Sequence, residues 1–457
     1  GTGNPNETLV NTTASPVNVT YVYTVSANGC TNASTYSVVI TVNPTPQLTS
    51  TLSPAAICNN TVFNYTPTSA TSGVTFAWTR AAVAGISNVA ATGTGNPAEA
   101  LVNTTANPVN VTYIYTVSAN GCTNGTSYSV VVTVNPTVNL STTLSPAAIC
   151  NNTTFSYVPA SATTGATFNW SRAAVAGISN AAASGTDNPN ETLVNTTANP
   201  VNVTYVYTVA LNGCSYTQNV VVTVNPTPAL SSTLTPVAIC NNGTFNYVPT
   251  SATSGATFAW SRAAIAGISN AAANGTGNPN EALDNTTSQP ISVVYTFTTT
   301  ANGCSNNQNV TVVVYPTPEL SSTLTPASIC NNTVFNYVPT SATTGATFNW
   351  TRAAVAGISN TAGSGTGNPN ETLVNTTGVS VDVTYVYTVS ANGCTNPITY
   401  NVVVTVKPTP VLTSTLTPTA ICSGNTFSYL PTSSTSGATF NWSRAAIAGI
   451  SNTAGSG

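Results

Sequence analysis

Ten cysteines are the residues of this chain best equipped for chemistry: Cys30, Cys58, Cys122, Cys150, Cys214, Cys240, Cys304, Cys330, Cys394 and Cys422. None stands in a C-x-x-C spacing, and there is no histidine, so a zinc site lacks its usual ligand set. An even number of widely spaced cysteines can form disulfides, and disulfides persist in exported proteins.

Charge is the second resource, and it is scarce. Only 3% of the residues are charged, against roughly a quarter in ordinary globular proteins. Arg80, Arg172, Arg262, Arg352 and Arg444 are all the arginines. Glu99, Glu191, Glu281 and Glu371 each follow one of the first four by 19 residues, and Glu7 is a fifth member of the series. This spacing predicts a structural Arg–carboxylate bridge between a strand and the loop after it; two independent surface charges are the alternative. A lone carboxylate beside an arginine has no second acid or base to work with. No phosphate loop, catalytic triad or carboxylate pair is present, so no enzyme activity, cofactor or metal is expected.

Trp78, Trp170, Trp260, Trp350 and Trp442 recur at similar intervals. A tryptophan of this kind could stack on a sugar. Alternation with Phe76 places Trp78 on a buried face instead, as a core residue between two sheets.

Other classes are set aside by composition. Six basic residues and a net charge of −3 leave no patch for nucleic acid or anionic lipid. No apolar run approaches the ~18 residues of a membrane helix. Lys407 is the sole lysine, so lysine-based isopeptide cross-links cannot recur from domain to domain. Asp-rich calcium linkers are likewise missing.

The elements that must position these residues are repeated. "GTGNP" or "GTDNP" begins at Gly1, Gly93, Gly185, Gly275 and Gly365, and Gly457 is the next glycine in phase; the steps are 92, 92, 90, 90 and 92 residues. Proline-bearing segments starting at Asn43, Asn135, Asn225, Tyr315 and Lys407 read as short, stiff linkers. They divide the chain into repeats 44–135, 136–225, 226–315 and 316–407, with 1–43 the back half of one repeat and 408–457 the front half of another. The half-repeats lead to the expectation that the chain continues in both directions.

Within 44–135, Gln47 to Ser53 is expected to be extended. Thr61 to Pro67 and Val74 to Trp78 alternate, Ala100 to Asn103 is a short strand, and Val109 to Val117 has a period-2 face. "ANGC" at Ala119 supplies an Asn-Gly hairpin turn, and Tyr128 to Val134 closes the unit. Only "RAAVAGI" at Arg80 could hold a helical turn. Short alternating strands with Gly/Asn/Pro punctuation describe an all-β, immunoglobulin-like sandwich in tandem array.

The layout "NPTPxLSSTLTPxxIC…FxYxPTSATSGATFxW…VTYVYTVSANGC…VVVTV" resembles the PKD-like repeats of giant Bacteroidetes cell-surface adhesins, including flavobacterial gliding adhesins exported by the type IX secretion system. The resemblance runs the length of the chain. The acidic Trp-Asp-Phe-Gly-Asp-Gly stretch of classical PKD domains is replaced by Trp followed by "SRAA" or "TRAA", so roles tied to those acids do not carry over. The resemblance implies an extracellular, cell-surface protein.

In an immunoglobulin-like topology, Cys58 lies at one pole of its repeat and Cys122 at the other. Ten strand residues span ~33 Å, whereas a disulfide needs Cα atoms within ~7 Å. In a head-to-tail array the pole of one repeat meets the opposite pole of the next, which would pair Cys58 with Cys214, Cys150 with Cys304 and Cys240 with Cys394. A bond within one repeat, such as Cys58–Cys122, is the alternative if the loops bend. The sequons at Asn11, Asn103, Asn195, Asn285 and Asn375, each "NTT", permit glycosylation.

The reading that joins these features is a structural stalk that holds a binding tip away from a cell, with neighbouring repeats as its partners and surface polysaccharide as a further one. A tandem carbohydrate-binding array and a glycosylated surface-layer or filament subunit are the alternatives.

Overall fold

The structure, a computed structural model, describes residues 1–457. It contains strands and turns with no helix, and so no helix long and apolar enough to cross a membrane. Two compact units divide the chain, Gly1–Thr227 and Pro228–Gly457. Repeats 44–135 and 136–225 fall in the first, and repeats 226–315 and 316–407 almost wholly in the second.

Repeat 44–135 shows the plan. Its strands are β1 Thr61–Phe63, β2 Thr75–Arg80, β3 Ala91–Thr94, β4 Glu99–Leu101, β5 Val109–Ala119, β6 Cys122–Thr123 and β7 Tyr128–Val134. One sheet has β5 at its centre, paired with β2, β6 and β7, and β3 at the edge of β2; the other sheet is β1 with β4. β5 is rich in β-branched and aromatic residues, which suit a pleated, half-buried surface. Its alternation buries Val111, Tyr113, Tyr115 and Val117 completely. β7 adds Val130, Val132 and Val134 to the same core, β2 adds Trp78, and the small sheet adds Phe63 and Leu101. The other three complete repeats have equivalent cores.

Turn chemistry sets the pairing. Asn120 and Gly121 have φ of 48° and 78°, the left-handed pair needed for a two-residue hairpin whose twist matches its strands. Ala119 is thereby placed opposite Cys122. The repeated "GTGNP" has two uses. Gly93 lies opposite Trp78 in the β2–β3 ladder, and a Cβ on it would sit 2.5 Å from the indole ring. Asn96 Oδ1 accepts the Tyr65 backbone N–H at 2.8 Å, supplying a partner where β1 has ended.

Gln47 to Ser53 forms no ladder strand. It is held by single backbone bonds, from Thr49 N to Thr68 O and from Val131 N to Leu52 O. Pro46 and Pro54 bracket it, and proline interrupts ladder donation. The two-residue difference between repeat lengths falls after the Asn-Gly hairpin. In repeat 136–225 the closing strand runs unbroken as Cys214–Asn225; in 44–135 a turn separates β6 from β7, and Asn124 at that turn donates to Pro46 O at 2.9 Å.

The half-repeats are more open. Val17–Tyr23 pairs with Tyr36–Val42 in a hairpin. In 408–457 the ladder pairing is Ser443–Arg444 with Gly455–Ser456.

Candidate functional site

Two constellations recur: an arginine–glutamate pair inside each complete repeat and cysteines at the repeat poles.

Alternation along β2 carries Arg80 to the same face as Trp78, so its side chain enters the core and is only 1% exposed. Glu99 opens β4, where it lies opposite Phe63 of β1. The pair therefore joins the large sheet to the small one. This corrects the expectation that the carboxylate sits on a loop. The contact is bidentate: Arg80 Nε donates to Glu99 Oε2 at 2.8 Å and Nη2 to Oε1 at 2.9 Å. Nη2 also donates to the Val89 carbonyl at 2.6 Å, and Nη1 to the Ala81 carbonyl at 3.3 Å. Tyr113 of β5 donates its hydroxyl to Glu99 Oε2 at 2.7 Å. The Tyr113 ring lies 6.0 Å from the guanidinium carbon and meets Trp78 edge-on at 5.3 Å. A buried charge is tolerable only when paired and fully hydrogen-bonded, and this one is.

The same geometry links Arg172–Glu191–Tyr205, Arg262–Glu281–Tyr295 and Arg352–Glu371–Tyr385. Hydrogen bonds from Arg80 and Arg172 hold the Glu99 and Glu191 carboxyls below the usual carboxylate range, against the opposing effect of burial. At Glu281 and Glu371 burial is the largest single influence and pushes upward, but the arginine and tyrosine hydrogen bonds together outweigh it. Burial pushes the Tyr113 hydroxyl far up, and the adjacent Glu99 carboxylate adds to the shift. The arginine, glutamate and tyrosine side chains thus bond to one another and to backbone carbonyls, and the cluster ties the two sheets together.

The tryptophans are packing residues in the four complete repeats: Trp78, Trp170, Trp260 and Trp350 are 6 to 7% exposed. Their indole Nε1 atoms are buried without a hydrogen-bond partner. Trp442 corrects the expectation of a core residue, since it is 59% exposed. The long closing strands that cover its counterparts have no equivalent within 408–457.

At the poles, the Ile-Cys segment runs parallel to the end of the closing strand of its own repeat. Ile149–Cys150 pairs with Val224–Asn225, Ile239–Cys240 with Val314–Tyr315, and Ile329–Cys330 with Val406–Lys407; Ile57 bridges Val134 in the same sense. The Asn-Gly-Cys hairpin is at the other end. The two cysteines of a repeat are thus held at opposite poles. Cys58 of repeat 44–135 is bonded to Cys214 of repeat 136–225, with Cα atoms 5.5 Å apart. In the second unit, Cys240 of repeat 226–315 is bonded to Cys394 of repeat 316–407, with Cα atoms 5.6 Å apart. Around the first bond, Asn135 Nδ2 lies 3.6 Å from Cys214 Sγ, and Asn212 Nδ2 donates to Asn135 Oδ1 at 3.2 Å. Loops of 156 and 154 residues are closed, long enough for a chain-entropy stabilisation of about 5 kcal/mol each.

Of the ten cysteines that could form disulfides, Cys30, Cys122, Cys330 and Cys422 are free. In both bonds an Ile-Cys cysteine is joined to the hairpin cysteine of the following repeat.

The sequons also read differently in the folded chain. Asn103 is 4% exposed. Its Nδ2 donates to the Asn107 and Val134 carbonyls, both at 2.8 Å, and its Oδ1 accepts from Thr105. Asn195, Asn285 and Asn375 do the same in their repeats. These amides serve the fold, and a glycan on Nδ2 would replace one of its two hydrogens and so remove one of the two donated bonds.

Sandwiches of two mainly antiparallel sheets, repeated in tandem, define a chain of immunoglobulin-like modules. The PKD-like domain family matches residues 55–138, 147–228, 237–318 and 327–410, and the chain belongs to that family. No curated protein sequence matches it. Among solved structures it is similar to Drosophila N-cadherin EC1-4, at 9% identity and a TM-score of 0.26, covering 78% of this chain and 99% of that one. Mouse cadherin-23 EC22-24 gives 14% identity and a TM-score of 0.25, covering 58% and 96%. The immunoglobulin domains 1–5 of Sidekick-1 give 8% and 0.21, covering 89% and 98%.

Proposed function

We propose that this chain is a structural segment of an extracellular adhesion stalk. The observation that supports it most is the disulfide between adjacent repeats, seen at Cys58–Cys214 and Cys240–Cys394. Binding modules on flexible tethers have no need of such a bond, whereas a spacer whose length must be kept does. Disulfides of this kind survive outside the reducing cytosol. A nearly uncharged surface also makes such a spacer insensitive to salt. The finer assignment is a giant Bacteroidetes cell-surface adhesin exported by type IX secretion, holding a tip for attachment or gliding. It rests on the resemblance of the repeat landmarks, with surface polysaccharide as the tip's partner.

The carbohydrate-array reading needed an exposed aromatic platform in each repeat, and the tryptophans of the complete repeats are in the core. The glycosylated-filament reading relied on sequons whose asparagines are engaged in the fold. Small-angle scattering from arrays of two, three and four repeats tests the stalk. The longest dimension should grow linearly, by about 33 to 40 Å per repeat if strand length sets the rise. Compact particles of constant aspect ratio would contradict the reading.

A further inference from the structure

The placement of the disulfides along the chain has a mechanical consequence. Cys58–Cys214 and Cys240–Cys394 are consecutive along the polypeptide, joined by residues 214–240. A pull on the two ends of the chain follows the shortest covalent route. That route enters repeat 136–225 at Cys214, follows the closing strand Cys214–Asn225 and the linker to Cys240, and crosses to Cys394. The strands Thr75–Arg80 and Val109–Ala119, their counterparts in 136–225, and the long strands Ile291–Ala301 and Cys304–Tyr315 all lie off it.

We propose that the array is a force-bearing tether in which tension bypasses the β-sandwich cores through these inter-repeat disulfides. The chemistry is that of covalent cross-links in series with short, already extended chain. Force promotes unfolding only in proportion to the length gained. A β-strand rises ~3.3 Å per residue, close to the ~3.6 Å limit of a fully extended chain. Pulling Cys214 away from Asn225 along the strand therefore gains almost nothing, even if the repeat around it melts. Without the bonds, each repeat would release roughly 300 Å of chain. The four-way Arg–Glu–Tyr–Trp core would then stand alone against the load.

This deepens the stalk reading and rests on it for biological purpose, but the two fail separately: scattering reads the shape, and extension under force reads the bypass. The experiment holds residues 1–457 by the two ends in an optical trap and compares oxidised chain with chain treated with a phosphine reductant. The bonds remove separations of 156 and 154 residues from the loaded path, so reduction should lengthen the maximum extension by about 1,100 Å. The force is raised until every repeat has unfolded in both samples, so the reading is the covalent contour length and not the resistance of the folded repeats. Cys214→Ser alone should lengthen the oxidised chain by about 560 Å. Equal extension before and after reduction would overturn the proposal. So would a gain of only about 220 Å in Cys214→Ser, the length expected of a bond confined to one repeat.

Discussion

The Tyr113 hydroxyl donates to the same Glu99 oxygen that Arg80 Nε grips, at 2.7 Å and 2.8 Å. Three side chains from three strands and two sheets thus meet on one carboxylate. The arrangement repeats at Tyr205–Glu191, Tyr295–Glu281 and Tyr385–Glu371. In a chain so poor in charge, one ion pair is kept per complete repeat, and it is kept inside.

Removing one partner strands the other in the core. Arg172→Ala is expected to destabilise repeat 136–225 by about 3 kcal/mol or more, because Glu191 and the Ala181 carbonyl lose their donors. Glu191→Gln keeps the shape but loses the charge, and should cost less. Chemical denaturation of a two-repeat fragment, with unchanged slope and lowered midpoint, would show this; an unchanged midpoint in Arg172→Ala would contradict it.

The same cluster fixes the response to pH. The Glu99 and Glu191 carboxyls are held low by their arginines. Their contribution to stability is complete above the ordinary carboxylate range of about 4 to 4.5 and is lost as pH falls through the depressed folded value. The Tyr113 and Tyr205 hydroxyls are held high by burial. Their contribution is complete below about pH 10 and is lost as pH rises above that. Thermal melts of the oxidised chain should give a flat plateau between about pH 5 and 9, falling on both sides. A melting temperature that drops steeply between pH 6 and 8 would contradict this account.

Gly185 is the close neighbour of Trp170: a Cβ there would lie 2.9 Å from the indole ring. Gly185→Ala should therefore displace the tryptophan and cost about 1 to 3 kcal/mol by overpacking. Gly213, in the exposed hairpin, has nothing within 4 Å but a φ of +81°, so Gly213→Ala should strain the turn without disturbing the core. Near-ultraviolet circular dichroism distinguishes the two, with the tryptophan signal altered only in Gly185→Ala.

Much of this was legible in residue order. The period-2 run Val111, Tyr113, Tyr115, Val117 announced the central strand, and Asn120-Gly121 its hairpin. The spacing of Arg80 and Glu99 announced a partnership, but not where it lies. A charged residue two positions after Trp78 reads as the exposed end of a strand, whereas alternation carries it inward. The tyrosine hydroxyl was missed as the third member; the available signal was a phenol on a fully apolar face, which must find an acceptor when buried. The strand Ala91–Thr94 was missed because its small residues show no apolar alternation. They are small because Trp78 lies over them. Trp442 and the four free cysteines depend on what covers or faces them, which a repeat pattern read locally does not reveal.

The central claim is that neighbouring repeats are covalently joined from the Ile-Cys pole of one to the hairpin pole of the next. Proteolysis of the oxidised, alkylated chain followed by mass spectrometry without reduction tests it most directly. Peptides linking Cys58 to Cys214 and Cys240 to Cys394 are expected, with Cys30, Cys122, Cys330 and Cys422 alkylated. Recovery of Cys150 linked to Cys214, or of Cys58 linked to Cys122, would contradict it.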